Sequence, residues 1–426
     1  MHSLNRLRLT SDASVLNVLA VVTPTIAVIA PLQLWVPAVV ASTAIGFRRL
    51  AAGGSWAIMH PVLVAILVCI VFWGTVSALW AVDWSRSLEK VGTLALISAA
   101  LALLVDVATQ LNDAQRASFR RSLIFGAVAG IILTFLLITA ITAHTLWVQG
   151  QQMDLNKLSA LNRTASAIAI LAWPAAISIA KVYGRSAATT FIALSSVAVF
   201  CSAPLTPLLA FLVGLAAFAV AWTWLRLAKV LFAILFTLSI LVVPFLDEIA
   251  PLAIEFLVTN FQDHFSEVHR LVIWQFASEH ILERPIFGWG LNAARVFPGG
   301  EVELLLLTTP EGTQITGPAL PLHTHNALIQ IWLELGFIGV TLFTILLGVA
   351  IRGIRHIPED PARQAAAMAT ITTGFVIAQL GFGFWQGWWL AIQGIAVVTT
   401  VAICGTSRSN PQDRAQGTNS DRSFPD

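Results

Sequence analysis

The stretch His323-Thr324-His325-Asn326-Ala327-Leu328-Ile329-Gln330 sets two imidazoles beside a carboxamide, with a second carboxamide four residues on and Glu334 four beyond that. If a helix starts near Asn326, positions 326, 330 and 334 share one face. Polar groups stacked there must meet a cavity or a neighbouring helix, because lipid would leave them unsatisfied. His325 heads that face. Imidazole is the side chain whose ordinary pKa lies nearest neutrality, so His325 can take a proton from a hydroxyl nucleophile. Two other readings use the same residues. The His pair can anchor a helix at headgroup level, or His323 and His325 can bind a metal, although no Cys or carboxylate stands at ligand spacing.

Arginine supplies the second candidate group. Arg163 stands in Leu161-Asn162-Arg163-Thr164 and Arg270 in His269-Arg270-Leu271. A guanidinium presents forked donors that match phosphate oxygens and stays charged at any working pH, so two of them can hold one diphosphate at a membrane surface. The ordinary alternative for each is a side chain reaching from a helix end to the interface. Arg284 and Arg295 rank behind them. Near the C-terminus, Trp385, Trp388 and Trp389 flank Gln386 and Gly387. Such indoles form an interfacial belt or stack on a sugar ring. Trp80-Ala81-Val82-Asp83 raises the same pair of readings with an added acid.

The elements that must position these residues are membrane helices. Of 426 residues, 57% are hydrophobic and 11% charged, against roughly 25% charged in soluble domains, which excludes an ordinary globular enzyme. A formal net charge of +2 gives no field to attract nucleic acid. Cys69, Cys201 and Cys404 each fall inside an apolar run and read as small core residues. A span needs about 20 predominantly apolar residues. Segments near 14–31, 33–47, 61–82, 91–108, 122–143, 165–182, 187–203, 205–225, 228–246, 326–350, 364–384 and 387–404 approach or meet that length. The sequence therefore predicts an all-α polytopic membrane protein of about twelve spans. Residues 1–246 hold nine of them, 247–325 form one large outer loop, 326–404 hold three, and 405–426 form a polar, disordered tail.

Orientation follows from counting Lys and Arg. With a cytoplasmic N-terminus, Arg86, Lys90, Lys157, Arg163, Arg270, Arg284 and Arg295 lie outside, and the other 17 of the 24 basic residues lie inside. Both termini are then cytoplasmic, and the candidate chemistry faces outward. The 247–325 loop is long enough to be functional. Within it, Ser266 to Glu283 carries apolar residues at helical spacing and reads as an amphipathic interfacial helix.

These residues resemble the O-antigen ligase and polymerase family of bacterial membrane glycosyltransferases. Trp80-Ala81-Val82-Asp83 with Ser87-Leu88 looks like the family's first outer loop, and Leu161-Asn162-Arg163 like its Arg-bearing entry to a middle span. Ser266 to Leu291, with Arg270, Trp274, Pro285, Gly288 and Gly290, looks like the large periplasmic loop. His325-Asn326 followed by Gly336-Phe337-Ile338-Gly339 matches the ligase signature. Val340 stands where that pattern often has Thr, and Ser202-Ala203 where many relatives carry Ser-Arg. These departures leave ligase and polymerase both open.

The resemblance implies metal-independent, cofactor-free glycosyl transfer at the periplasmic face of the bacterial cytoplasmic (inner) membrane. The donor would be a polyprenyl-diphosphate-linked glycan, surrounded by membrane lipids. Arg163 and Arg270 would hold its diphosphate. His325 would deprotonate or orient the acceptor hydroxyl, and His323 and Asn326 would position it, with Gln330 and Arg295 in support. The most concrete form of the reading is O-antigen ligation to lipid A-core in lipopolysaccharide biosynthesis. The alternatives are an O-antigen or exopolysaccharide polymerase, a protein O-oligosaccharyltransferase or, from another class, a lipid or glycan transporter.

Overall fold

The computed structural model describes residues 11–53, 60–148, 158, 160–260, 265–308, 312–357 and 360–405. Most of the predicted tail, 406–426, lies outside them. Helices α1 (Asp12–Ile29), α2 (Trp35–Ala51), α3 (Pro61–Ser77), α4 (Trp84–Gln110), α5 (Asp113–Ala143), α6 (Asn162–Tyr183), α7 (Arg185–Cys201) and α8 (Leu205–Leu241) precede the outer segment. That segment holds α9 (Leu246–Asn260), α10 (Phe265–Glu283) and strands β1 (Glu303–Thr308) and β2 (Gln314–Pro318). The chain closes with α11 (Ala327–Gly353), α12 (Pro361–Leu380) and α13 (Gly387–Cys404).

Each of the twelve predicted segments falls on a helix. Among the described residues, eight helices are long and apolar enough to cross a membrane. The other predicted segments fall on α2 and α7, with 17 residues each, on α12 and on the second limb of α8. α12 is rich in Ala and Thr, and most of it is buried against protein, so it needs little lipid-compatible surface. α8 shows the opposite pattern, with Leu209, Leu212, Leu231 and Leu238 exposed along its length.

α8 conceals a reversal. Trp224 alone leaves helical geometry, at φ −140° and ψ 80°. A straight helix would carry residues 214 and 236 about 33 Å apart. Yet Gly214 abuts Thr373 while Phe236 packs on Phe375, only two residues along α12. The helix therefore folds back at Trp224, and the predicted spans at 205–225 and 228–246 are separate limbs against one partner.

Helix ends sort by charge. Asp12 pairs with Arg48 and Arg49 at 3.2 and 3.1 Å, and Arg49 reaches Asp106 at 3.0 Å. Arg116 donates to the carbonyls of Val401 and Ala402 at 3.0 and 2.7 Å. The starts of α1 and α5 and the ends of α2, α4 and α13 thus share one basic end. The starts of α4, α6 and α13 lie at the other end, with the outer segment.

The outer segment is more ordered than a loop. α10 occupies the predicted amphipathic helix and packs on α9 and on the turn before it, where Ser278 donates to the Val243 carbonyl at 2.7 Å. An antiparallel hairpin of β1 and β2, which the sequence reading missed, follows it. Its signal was the run Glu303-Leu304-Leu305-Leu306-Leu307, too short and too uniformly apolar to separate from helix by periodicity. The cysteine expectation needs one correction: Cys404 is buried, but Cys69 is exposed on α3 among outward-facing apolar residues such as Val68 and Phe72.

Candidate active site

The framework of the site is a broken helix. Within α11, Gly336 alone is non-helical, at φ 67° and ψ −169°. A break frees backbone groups that a membrane interior cannot hydrate, so protein must satisfy them. Trp289 N donates to the Leu333 carbonyl at 2.9 Å, Gly290 N to Glu334 at 2.8 Å and Phe337 N to Pro285 at 2.8 Å. The Trp73 indole donates to Leu335 O at 2.9 Å. The 285–291 turn is thereby threaded against the break so closely that a Cβ on Gly336 would strike the Ile286 carbonyl, and one on Gly288 would lie 2.6 Å from Gly336 N. The first outer loop clamps the same turn from behind. Trp80 Nε1 donates to Gly288 O at 3.2 Å, Val82 N to Trp289 O at 3.3 Å and Ser87 Oγ to Leu291 O at 2.5 Å. Asp83, the added acid there, caps α4 through Arg86 N at 3.0 Å.

Below the break, the predicted polar face meets protein as expected. Glu334 has no exposed surface and Gln330 has 3%. Glu334 Oε1 accepts from Gln330 Nε2 at 3.0 Å and Ala294 N at 3.4 Å, and Oε2 accepts from Asn292 N and from Trp385 Nε1 at 2.6 Å. Gln330 Oε1 accepts from Phe384 N at 2.8 Å. One carboxylate thus joins α11, the turn that carries Arg295 and the loop before α13. Asn326 begins the helix, its side chain accepting from Ile329 N at 3.1 Å, an N-cap that occupies its oxygen.

His325 stands just before that cap with φ 56°, a left-handed conformation uncommon outside glycine. Its Nδ1 lies 2.8 Å from the Gly381 carbonyl. A carbonyl can only accept, so in the neutral ring Nδ1 carries the proton and Nε2 keeps its lone pair. Burial lowers the His325 pKa below its ordinary 6.5, the bond to Gly381 opposes this, and the nearby Arg270 charge lowers it further. His323 packs beside it with ring centroids 4.2 Å apart. Burial, then the charges of His325, Arg295 and Arg163, push His323 down to about 3. His323 is therefore neutral at any physiological pH, and its buried Nδ1 has no hydrogen-bond partner.

The arginines arrive from two directions. Trp274 Nε1 donates to Thr324 O at 2.8 Å, docking α10 onto the His segment. Arg270, one turn earlier on the same face, is thereby brought to His325. Burial lowers its pKa, and Glu267 partly restores it. Arg163 occupies the first turn of α6, which Thr164 secures to the Ala27 carbonyl at 2.9 Å. Its Cζ sits 6.0 Å from the Trp388 ring centroid, and its buried Nε has no hydrogen-bond partner. Among the described residues, neither Arg163 nor Arg270 forms an ion pair. Arg284 instead stacks on Trp289 at 3.9 Å. No group of three His, Cys, Asp or Glu converges among the described residues to hold a metal ion.

The sugar-stacking reading of the C-terminal indoles is corrected. Trp385, Trp388 and Trp389 are 2%, 2% and 0% exposed. Trp385 packs against Phe343 and Phe384, while Trp388 and Trp389 pack against Phe382 and each other. Enclosed rings offer no face to a glycan. They brace the site, Trp385 through Glu334 and Trp388 beneath Arg163.

Residues 190–344 match the family model described as O-antigen ligase. Over that stretch the chain is similar to the O-antigen ligase family. The match runs from α7 to two turns past the break in α11 and so contains Arg270, Arg295, His323 and His325, while Arg163 and Trp385 lie outside it. A protein of Rickettsia felis named "Putative polysaccharide ligase" is 26% identical over 338 residues, 78% of each chain. Proteins given the same description in Rickettsia conorii and Rickettsia bellii are 33% and 34% identical over 138 and 128 residues. Those two matches cover 32% and 30% of each chain, so there this protein spans about a third of its relatives' length. Within the family frame, the sequence reading undervalued Glu334 as the organiser of three segments and passed over Lys90. Lys90 was legible as one of few outward basic residues, one turn beyond Ser87, but only the fold brings it to Arg295.

Proposed function

We propose that this protein is a periplasmic-face glycosyltransferase of the O-antigen ligase type, moving a glycan from a polyprenyl diphosphate to an acceptor hydroxyl. The observation that carries the reading is His325 with Nδ1 committed to Gly381 and Nε2 free, beside two arginines without ion-pair partners among the described residues. The acceptor oxygen attacks the anomeric carbon and its proton passes to His325 Nε2. The bond from that carbon to the diphosphate oxygen breaks, and its electron pair leaves with the polyprenyl diphosphate. Arg163 and Arg270 bind the donor diphosphate and stabilise the charge gathering on the leaving oxygen. Guanidinium charge supplies this stabilisation without a metal ion or cofactor.

His323, whose imidazolium form burial and the neighbouring charges disfavour, donates or accepts one hydrogen bond and is the weaker base of the pair. The placement of the site at the end opposite the basic helix ends supports an outward orientation in the inner membrane. The most specific form of the reading is O-antigen ligation to lipid A-core.

The test is disruption of the gene in its source bacterium, with lipopolysaccharide resolved on a gel. Rough core with accumulated lipid-linked glycan is the expected result. Core bearing one repeat unit assigns polymerase activity instead, and an unchanged profile together with no transfer by the purified protein removes the reading.

A further inference from the structure

Ser87 binds the Leu291 carbonyl at 2.5 Å, and Val91 and Leu291 both pack on Gly74. This face of α4 is thus seated against the turn that leads to Arg295. Lys90, three residues past Ser87, lies on the same face. Arg295 itself is exposed, on a turn whose two amides, at Asn292 and Ala294, are fixed by Glu334. The charge of Arg295 acts on both Lys90 and His323. Two cations and the unpartnered Nδ1 of His323 therefore share one locality, and among the described residues neither cation forms an ion pair. Glu89 and Glu334 offset part of the Lys90 charge, but among the described residues neither forms an ion pair with Lys90 or Arg295. Glu334 has both oxygens taken by four donors, and Glu89 is exposed to solvent. Like charges held together cost free energy, which an arriving anion recovers.

We propose that Lys90, Arg295 and His323 line an anion-binding subsite, distinct from the Arg163 and Arg270 cradle, that takes a phosphate or carboxylate carried by a saccharide substrate. The assignment rests on the transferase reading above. Lys90 supplies a point charge, Arg295 a forked donor, and neutral His323 a hydrogen bond to the anion or to an adjacent hydroxyl.

The experiment uses the full chain in lipid nanodiscs. Transfer is measured to an acceptor with and without a phosphomonoester, and from donors with and without an acidic sugar. In Lys90→Gln with Arg295→Gln, the preference for a charged over an uncharged substrate, as a ratio of kcat/KM, falls about tenfold. The substrate whose ratio falls identifies the source of the anion. Lys90→Arg with Arg295→Lys keeps both charges and retains most of the preference, which separates charge from folding. A second readout needs no turnover: inorganic phosphate raises the Tm of an Arg163→Gln, Arg270→Gln protein, and adding the Lys90 and Arg295 substitutions abolishes the rise. Unchanged ratios on both substrates, or a phosphate-induced rise that survives those substitutions, overturn the subsite. Absence of transfer by the wild type, with the phosphate effect intact, overturns the transferase reading alone.

Discussion

His325 Nδ1 lies 2.8 Å from the Gly381 carbonyl oxygen, joining the residue before the N-cap of α11 to the residue after α12. The contact fixes the tautomer of the neutral ring and leaves Nε2 with its lone pair. The ring proposed as the base thus depends on two chain segments 56 positions apart, so its orientation answers to packing at α12 as well as to its own backbone.

Substitution of His325 by Ala should lower kcat by roughly 10² to 10⁴, the usual range for a positioned base, with little change in donor KM. The working form is neutral and burial lowers the His325 pKa. Transfer should therefore rise with pH, with its midpoint below 6.5, and stay level through neutrality. A midpoint above 7 in a pH profile of kcat/KM would assign the proton to another group.

Arg270→Lys and Arg163→Lys keep the charge but lose the fork. Each should cost about 1.5–3 kcal/mol of transition-state stabilisation, or about 10- to 150-fold in kcat/KM. Full activity of either variant in a glycan-transfer assay removes that arginine from the cradle.

Glu334→Gln tests the join among α11, the Asn292–Ala294 turn and Trp385. All four partners of Glu334 are donors, so a carboxamide that turns one NH₂ toward them leaves donors unmatched. A loss of about 1–3 kcal/mol in stability is expected. Trp385→Phe removes one donor and should cost less. In a double-mutant cycle read by thermal unfolding, additive effects of the two changes would show that the residues do not act together.

Gly336→Ala places a methyl group against the Ile286 carbonyl at φ 67°. Backbone strain of about 1 kcal/mol or more adds to the collision. The variant should lower Tm and the yield of monodisperse protein. Gly348→Ala, inside α11 where a Cβ would meet nothing within 4 Å, is the control and should lower neither.

Much of the site was legible in sequence because its residues are chemically conspicuous against an apolar background. Arg163, Arg270 and His325 stood out by type, and Asn326, Gln330 and Glu334 by spacing. The structure brings them together from α6, α10 and α11. The indoles misled because Trp at a helix end has the same appearance whether it faces a glycan or a phenylalanine, and only neighbouring segments decide which. Asn326 read as an acceptor-positioning group, whereas its oxygen caps α11.

The sequence by itself determined what local composition and periodicity determine: apolar helices in number, the side on which basic residues gather, an amphipathic α10 and the polar face of α11. Tertiary structure alone decided where α8 turns back, that α11 breaks at Gly336 to receive the 285–291 turn, which imidazole nitrogen stays free, and that Lys90 comes within reach of the Arg295 charge. Each of these depends on partners far apart in the chain, because a backbone group released by a kink, or a ring nitrogen seeking an acceptor, is satisfied by whatever packing delivers to it.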